Sequence, residues 1–417
     1  MASSNALARA LSTRDSRLFF TGSMVAWTGL WMQRIAVSWL AWELTGSAFW
    51  VGMVAFCDLA PAVLVSPLAG AMADRVDRVQ LAMWTQIAIA LQAAAVAGIT
   101  YSGHMTIGIL LVLEVCGGTA ASFAQPARQT LMPGIVARAD LPAAVAANSL
   151  CFAVARFVGP AIAGPLIAIW GVVPAIAANA VGYLFAFATI WLLRVDPKER
   201  RGHPVSTSLG REVLAGISYA ARHKGLGPLL LYAALGAVLL RGMQEILPPF
   251  VERLFGRGAE SLAILTACFG IGALAAGLWV ASRGRLEGAS RLAVFAALAQ
   301  AIATVGFIAT GYFPLGMLCA ALIGGAASVH GISVQTLIQS AADPGYRGRM
   351  LSLWGLITRA CPALGALALG ALGEVFGLRW PTLVAVLLFL GVFAWGVARL
   401  RRMQQELEGT PAGPAAG

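Results

Sequence analysis

Long runs of apolar residues, broken at regular intervals by short polar stretches, make up most of this chain. A helix needs about 20 mostly apolar residues to cross the ~30 Å hydrocarbon core of a bilayer. Runs of that length predict helices over 18–43, 48–72, 79–100, 105–127, 142–168 and 172–194, and again over 226–251, 260–282, 290–311, 314–340, 350–374 and 379–400. The expected fold is an all-α membrane protein with twelve transmembrane helices in two pseudo-symmetric six-helix halves. Residues 1–17 then form a cytoplasmic N-terminal segment, 18–194 the first half and 226–400 the second. Residues 195–225 form a cytoplasmic linker in which Leu209–Lys224 reads as an amphipathic helix on the membrane surface. Residues 401–417, ending GTPAGPAAG, read as a disordered cytoplasmic tail. The first 17 residues are polar and basic, and the run after them is long enough to span, so no cleavable signal peptide is predicted.

Composition supports the membrane reading. The chain is 59% hydrophobic and 11% charged, with a mean hydropathy of +0.80, whereas soluble domains run near a quarter charged. Its 47 glycines suit helices that approach closely in lipid. The net charge of +11 does not point to nucleic acid, because the basic residues sit in the gaps between apolar runs and form no stripe. They set the orientation instead. With the N-terminus in the cytoplasm, 22 of the 29 basic residues fall in cytoplasmic segments and three (Arg253, Arg257, Arg379) in outer loops. Both termini are therefore expected in the cytoplasm. Six cysteines lie in apolar runs at no metal-ligand spacing; they read as buried free thiols, and neither a metal nor any other cofactor is predicted.

A faint internal repeat runs through the chain. Met32-Gln33 matches Met243-Gln244, Gln129-Thr130-Leu131 matches Gln335-Thr336-Leu337, and Ser149-Leu150 with Arg156 matches Ser352-Leu353 with Arg359. The matches come in order at equivalent helices, as a six-plus-six duplication produces. Secondary transporters are built this way, with their sites between the repeats.

Ionisable groups inside a bilayer are costly, so each is a functional candidate. Eight lie well within the predicted spans, away from their ends: Arg34, Asp58, Glu114, Arg156, Arg241, Glu245, His330 and Arg359. The third, sixth, ninth and twelfth spans carry none at such depth, which is the distribution expected of one polar cavity between two halves. Arg34, Asp58 and Glu114 each fall nine or ten residues from the outer end of their span, about 14 Å at ~1.5 Å per residue, near the midplane. Burial favours a neutral carboxyl and a neighbouring guanidinium favours a charged one, so Asp58 and Glu114 suit proton or substrate coupling; static pairing that merely holds helices together is the alternative. His330 reads either as a packing residue or as a proton relay. Arg241 and Glu245, one turn apart, read either as an ion pair with each other or as substrate- or proton-coupling residues.

Between the second and third spans the chain reads Gly70-Ala-Met-Ala-Asp74-Arg75-Val-Asp77-Arg78. Gly70 permits close helix packing. Asp74 is placed to cap a helix or pair with a cytoplasmic arginine, and Arg75 and Arg78 anchor the inner surface. This loop resembles the signature loop of the major facilitator superfamily, with Asp77 where that family usually has glycine. In the fifth span, Gly159-Pro160-Ala-Ile-Ala163-Gly164 resembles the Gly-Pro signature of the superfamily's antiporters; read physically, it is a kink with small residues for tight contact. Trp31-Met-Gln-Arg34, Glu43-Leu-Thr-Gly-Ser47, Pro126-Ala-Arg-Gln129 and Arg347-Gly-Arg-Met350 narrow the likeness to the bacterial exporters that include the enterobactin exporter and macrolide-efflux proteins. The resemblance implies that Asp74 joins a cytoplasmic charge network locking the outward-facing state, with Arg128 as its candidate partner.

No phosphate-binding loop is present, so the chain carries no ATP motor of its own. The expectation is a non-enzymatic, monomeric secondary transporter that uses protons to export an amphipathic small molecule: a siderophore, a drug-like compound or a secreted metabolite. A lysophospholipid flippase or a proton-coupled importer of the same fold stays open. A membrane enzyme using Asp58, Glu114 and His330 as acid–base groups fits poorly, since these groups fall at the midplane on both halves.

Overall fold

The computed structural model describes residues 12–62, 65, 76–137, 140–194, 209–283 and 287–408. A helix begins in or beside each of the twelve predicted spans. The first group is α1 (Arg14–Thr45), α2 (Ala48–Leu59), α3 (Arg78–Tyr101), α4 (Ile107–Leu131), α5 (Leu141–Trp170) and α6 (Val172–Trp191). After the amphipathic α7 (Leu209–Arg222) come α8 (Leu226–Glu245), α9 (Leu247–Phe255), α10 (Ala259–Arg283), α11 (Ala289–Ala309), α12 (Phe313–Ala341), α13 (Arg347–Phe376) and α14 (Arg379–Leu407). Ten helices among the described residues are long and apolar enough to cross a membrane; α1 and α2 stand where the first two spans were expected. Gly70, Asp74 and Arg75, together with 195–208 of the linker and 409–417 of the tail, lie outside the described residues.

Local chemistry sets the boundaries. α1 starts four residues earlier than its apolar run because the Thr13 side chain accepts from the Ser16 N–H, satisfying a donor that the first helical turn leaves open. Asp77 caps α3, its carboxylate accepting from Val79 N at 2.8 Å and Gln80 N at 3.1 Å. That role gives a reason for aspartate at this position. α14 runs seven residues beyond its predicted end, so 401–407 is helical and not a disordered tail. Next to it, Glu408 accepts from Gly288 N and Ser290 N, both at 2.7 Å, and so closes the start of α11.

The seventh span departs most from its prediction as one helix. A π-turn occupies Ala237–Arg241, and the helix breaks at Ile246 (φ −118°, ψ 43°) before α9 begins at Leu247-Pro248-Pro249. Proline has no N–H to donate and clashes with the preceding turn, so it starts helices but does not continue them.

Large apolar side chains face outward along the bundle, as lipid requires. Aromatic residues ring its two ends: Trp84 and Trp191 near one, Tyr101, Trp170, Tyr312 and Trp380 near the other, all exposed. Such rings mark membrane–water interfaces. The two groups of helices meet along two seams, α2 against α13 and α5 against α10. Backbone contact at the first seam depends on missing side chains: a Cβ on Gly52 would lie 2.6 Å from the Ala366 carbonyl oxygen.

Candidate transport cavity

A cavity of about 440 Å³ lies between the two groups. Seven of the eight predicted ionisable residues line it: Arg34, Asp58, Glu114, Arg156, Arg241, Glu245 and Arg359. His330 does not. It lies in a small side pocket of about 20 Å³ within the second group, its Nδ1 donating to the Ala293 carbonyl at 2.8 Å. Arg241 lines both spaces.

Arg34 is the junction. Its Nη2 lies 3.4 Å from Asp58 Oδ2 on α2 and 3.4 Å from Glu245 Oε2 on α8, so one guanidinium ties a carboxylate of each group. Glu245 therefore reaches across the cavity to Arg34 and does not form an ion pair with Arg241. The π-turn that ends at Arg241 and the break at Ile246 bracket these two residues, so they do not share a regular helical face. A single-turn π insertion in a helix is frequent at functional sites.

Behind this junction runs a buried chain of amides. Asn179 Nδ2 donates to Gln33 Oε1 at 2.6 Å, Gln33 Nε2 to Gln92 Oε1 at 3.1 Å, and Gln92 Nε2 to Glu114 Oε1 at 3.0 Å. The chain links α1, α3, α4 and α6 and ends on a carboxylate that is 7% exposed. Gln33, Gln92 and Asn179 were missed by a search for charge. The sequence did hold a signal, since uncharged amides inside apolar spans need partners just as ions do.

Aromatic faces carry several of the cations. The guanidiniums of Arg34 and Arg156 lie 5.3 Å and 5.1 Å from the Trp31 ring. Arg128, counted with the loops in the charge tally, falls inside α4. It is buried, bonds the Ser23 hydroxyl, and lies 4.6 Å from the Trp27 ring. Its expected partner Asp74 is outside the described residues. Arg78 is the first residue of α3.

The end of the molecule that carries Gly46 and Gly256 is clasped. Arg253, on α9, donates to the Gly46 carbonyl at 3.1 Å, pairs with Glu374 at 3.8 Å and lies 5.0 Å from the Trp42 ring. Glu374 accepts from Phe49 N at 3.3 Å, and the Trp42 indole donates to Glu252. The Glu43–Ser47 motif builds this turn: Gly46 ends α1 at φ 59°, where glycine is favoured, and Ser47 caps α2. At the second seam a Cβ on Gly164 would come 2.7 Å from Ala263 Cβ on α10, whereas one on Gly159 would meet Trp31 Cβ of α1 at 2.6 Å. The Gly159-Pro160 step lies within the continuous α5. Towards the other end the cavity extends to Gln125, Arg128 and Gln129 of α4. Among the described residues no cluster of histidine, cysteine and acidic side chains could hold a metal. The six cysteines are free; Cys319 is buried, Cys116 exposed and the others half-buried.

A family model described as transmembrane secretion effector matches residues 6–412. The staphyloferrin A transporter of Staphylococcus aureus (strain NCTC 8325 / PS 47) is 24% identical over 87% of this chain and 90% of its own length. The multidrug efflux pump Tap of Mycolicibacterium fortuitum is 27% identical over 93% of this chain and 96% of its own. Macrolide efflux and enterobactin export proteins match as well. Among solved structures, a bacterial homologue of the human lysosomal transporter Spinster, inward-facing and unoccupied, superposes with a TM-score of 0.73. It covers 95% of this chain and 99% of that one at 15% identity, a likeness of fold.

Proposed function

Because the chain belongs to the transmembrane secretion effector family of major facilitator transporters, we propose that it is a proton-coupled exporter that carries an amphipathic small molecule out of a bacterial cell by alternating access. The observation that carries this reading is Arg34, held at 3.4 Å by Asp58 from one group of helices and at 3.4 Å by Glu245 from the other. Two rigid halves rocking about a central site cannot keep both distances. Arg34 and Asp58 belong to the same group and move together, so the contact with Glu245 is the one that opens and closes through the cycle.

Orientation by loop charge puts both termini in the cytoplasm of the inner membrane. The clasp around Arg253 is then the outer gate, shut, and the cavity reaches inward past Gln125 to collect cargo. Names of the relatives support efflux and suggest siderophores, macrolides or other drugs as the range of cargo. The cavity is completed by one copy of the chain, so a monomer suffices.

Direction is the test. In inside-out vesicles whose lumen is acidified, the protein should concentrate its substrate inside, and a protonophore should abolish that uptake. Uphill accumulation only in right-side-out vesicles with an acidic exterior would make this an importer.

A further inference from the structure

Resting on the transporter reading above, we infer that the cargo held in this cavity is an organic anion with a flat aromatic body, bound by Arg156, Arg241 and Arg359. The cavity wall carries five arginines, Arg128 included, against three carboxylates. Those carboxylates are already engaged: Asp58 and Glu245 with Arg34, and Glu114 with Gln92 at the end of the amide chain. Among the described residues no carboxylate comes within ion-pair distance of Arg156, Arg241 or Arg359.

A guanidinium held in a membrane interior without a counter-charge is costly, and three around one space attract what neutralises them. Their forked N–H groups match the paired oxygens of a carboxylate, sulfonate or phosphate. Protonating any of the three acids only adds positive charge, so the sign of the cavity does not depend on the proton-loading state. A cationic amphipath would enter against that net charge.

The body of the cargo follows from the aromatic wall. The Trp31 and Phe152 rings lie 6.0 Å apart, and Trp27 and Phe152 5.4 Å apart, edge to face, at the cavity lining. Flat rings stack or pack edge-on against such a wall. Anionic cargo also makes export electrogenic. An anion leaving a negative cytoplasm moves with the membrane potential, and exchange for an entering proton adds to that charge movement.

The experiment pairs two dyes of similar size and opposite charge, carboxyfluorescein and rhodamine 6G, with lysophosphatidylglycerol as an anion of lipid origin. Binding to the purified full chain is read by fluorescence polarisation, and flux in proteoliposomes under a potassium–valinomycin diffusion potential. Carboxyfluorescein should bind at least tenfold more tightly than rhodamine 6G. Arg156→Gln and Arg359→Gln should each weaken it about tenfold, and Arg359→Lys, which keeps the charge, should recover part of the loss. Carboxyfluorescein flux should speed severalfold towards the positive side.

Tighter binding of rhodamine 6G, no binding of carboxyfluorescein by the folded protein, or binding of lysophosphatidylglycerol in its place overturns the assignment. Carboxyfluorescein bound without flux of any probe would leave the anion site standing and remove the transporter reading.

Discussion

Arg34 and Glu245 stand 211 positions apart, the same offset that relates Met32-Gln33 to Met243-Gln244. If the chain is a duplication, the two side chains that meet across the cavity are repeat counterparts. Counterparts touch only where both lie close to the pseudo-two-fold axis, so on that reading the pair sits near this axis at the interface of the two groups. Arg156 and Arg359 are also counterparts, and both line the cavity with the same charge. The neighbouring glutamines have diverged. Gln33 both donates and accepts within the amide chain, while the Gln244 Nε2 is buried without a partner among the described residues. The first group of helices thus holds a connected polar path ending at Glu114 with Asp58 beside it, and the second contributes arginines and a single acid. In the proposed function, proton handling therefore falls to the first group and charge matching to both.

Neutralising the acids of the first group should therefore do the most damage. Asp58→Asn or Glu114→Gln should abolish accumulation driven by a pH gradient while leaving ligand binding measurable, whereas His330→Gln, outside the cavity, should keep most of the transport. Full pH-driven transport by both neutralised variants would make these carboxylates structural and erase the proposed division of labour.

The Arg34–Glu245 pair permits a sharper cut, because its members are exchangeable by symmetry. Arg34→Gln and Glu245→Gln should each lower transport by one to two orders of magnitude, since breaking one partner leaves the other charge uncompensated. Combining Arg34→Glu with Glu245→Arg restores opposite charges across the same gap and should recover at least tenfold over the corresponding single charge reversals. Asp58 then faces a glutamate, so recovery stays incomplete. A swap no better than its single variants would show that the pair is not an independent unit.

How much of this was legible beforehand depends on range. The spans could be read from run length because burial in lipid constrains every residue of a helix. Seven cavity residues could be read because charge in lipid is rare. The break at Ile246 was foreshadowed by Pro248-Pro249 and passed over because the apolar run continues through it. Arg128 reads as a loop residue because the apolar run ends at 127, yet α4 continues past Pro126 to Leu131. The reach of Glu245 to Arg34 depends on how two elements more than 200 residues apart approach each other, and no local pattern records that. Neither does Arg253, an outer-loop cation by sequence, announce that it clasps the Gly46 turn.

The two glycines of the α5 motif separate folding from motion. A Gly164→Leu side chain would press into α10 across the seam, and overpacking costs about 1–3 kcal/mol. Because that contact joins the two groups, the cost falls on the closed state, shifting the balance of conformers by roughly 5- to 150-fold. A cysteine introduced at Gln125, with the native cysteines removed, should then be labelled more slowly from the cytoplasmic side. Gly159→Leu would clash within the first group and should lower the thermal stability of the whole protein. Equal stability losses in both would mean the seam is not a moving contact.

The smallest effect is expected at the clasp itself. Arg253 and Glu374 are each about one-third exposed, and exposed ion pairs are worth about 0–1 kcal/mol. The bond to the Gly46 carbonyl adds a similar amount. Arg253→Ala should therefore weaken closure by about 1 kcal/mol, a factor of roughly five in population, with no change in melting temperature beyond a few degrees. Val54 lines the cavity and is buried while this end is shut, so a cysteine there reports opening to the outside. Its labelling by an impermeant thiol reagent applied from outside should speed up about fivefold in Arg253→Ala and less in Arg253→Lys. Unchanged labelling would assign closure to the α2–α13 seam, where Gly52 and Gly370 bring backbones into contact, and would leave Arg253 as a surface ornament of a gate held by packing.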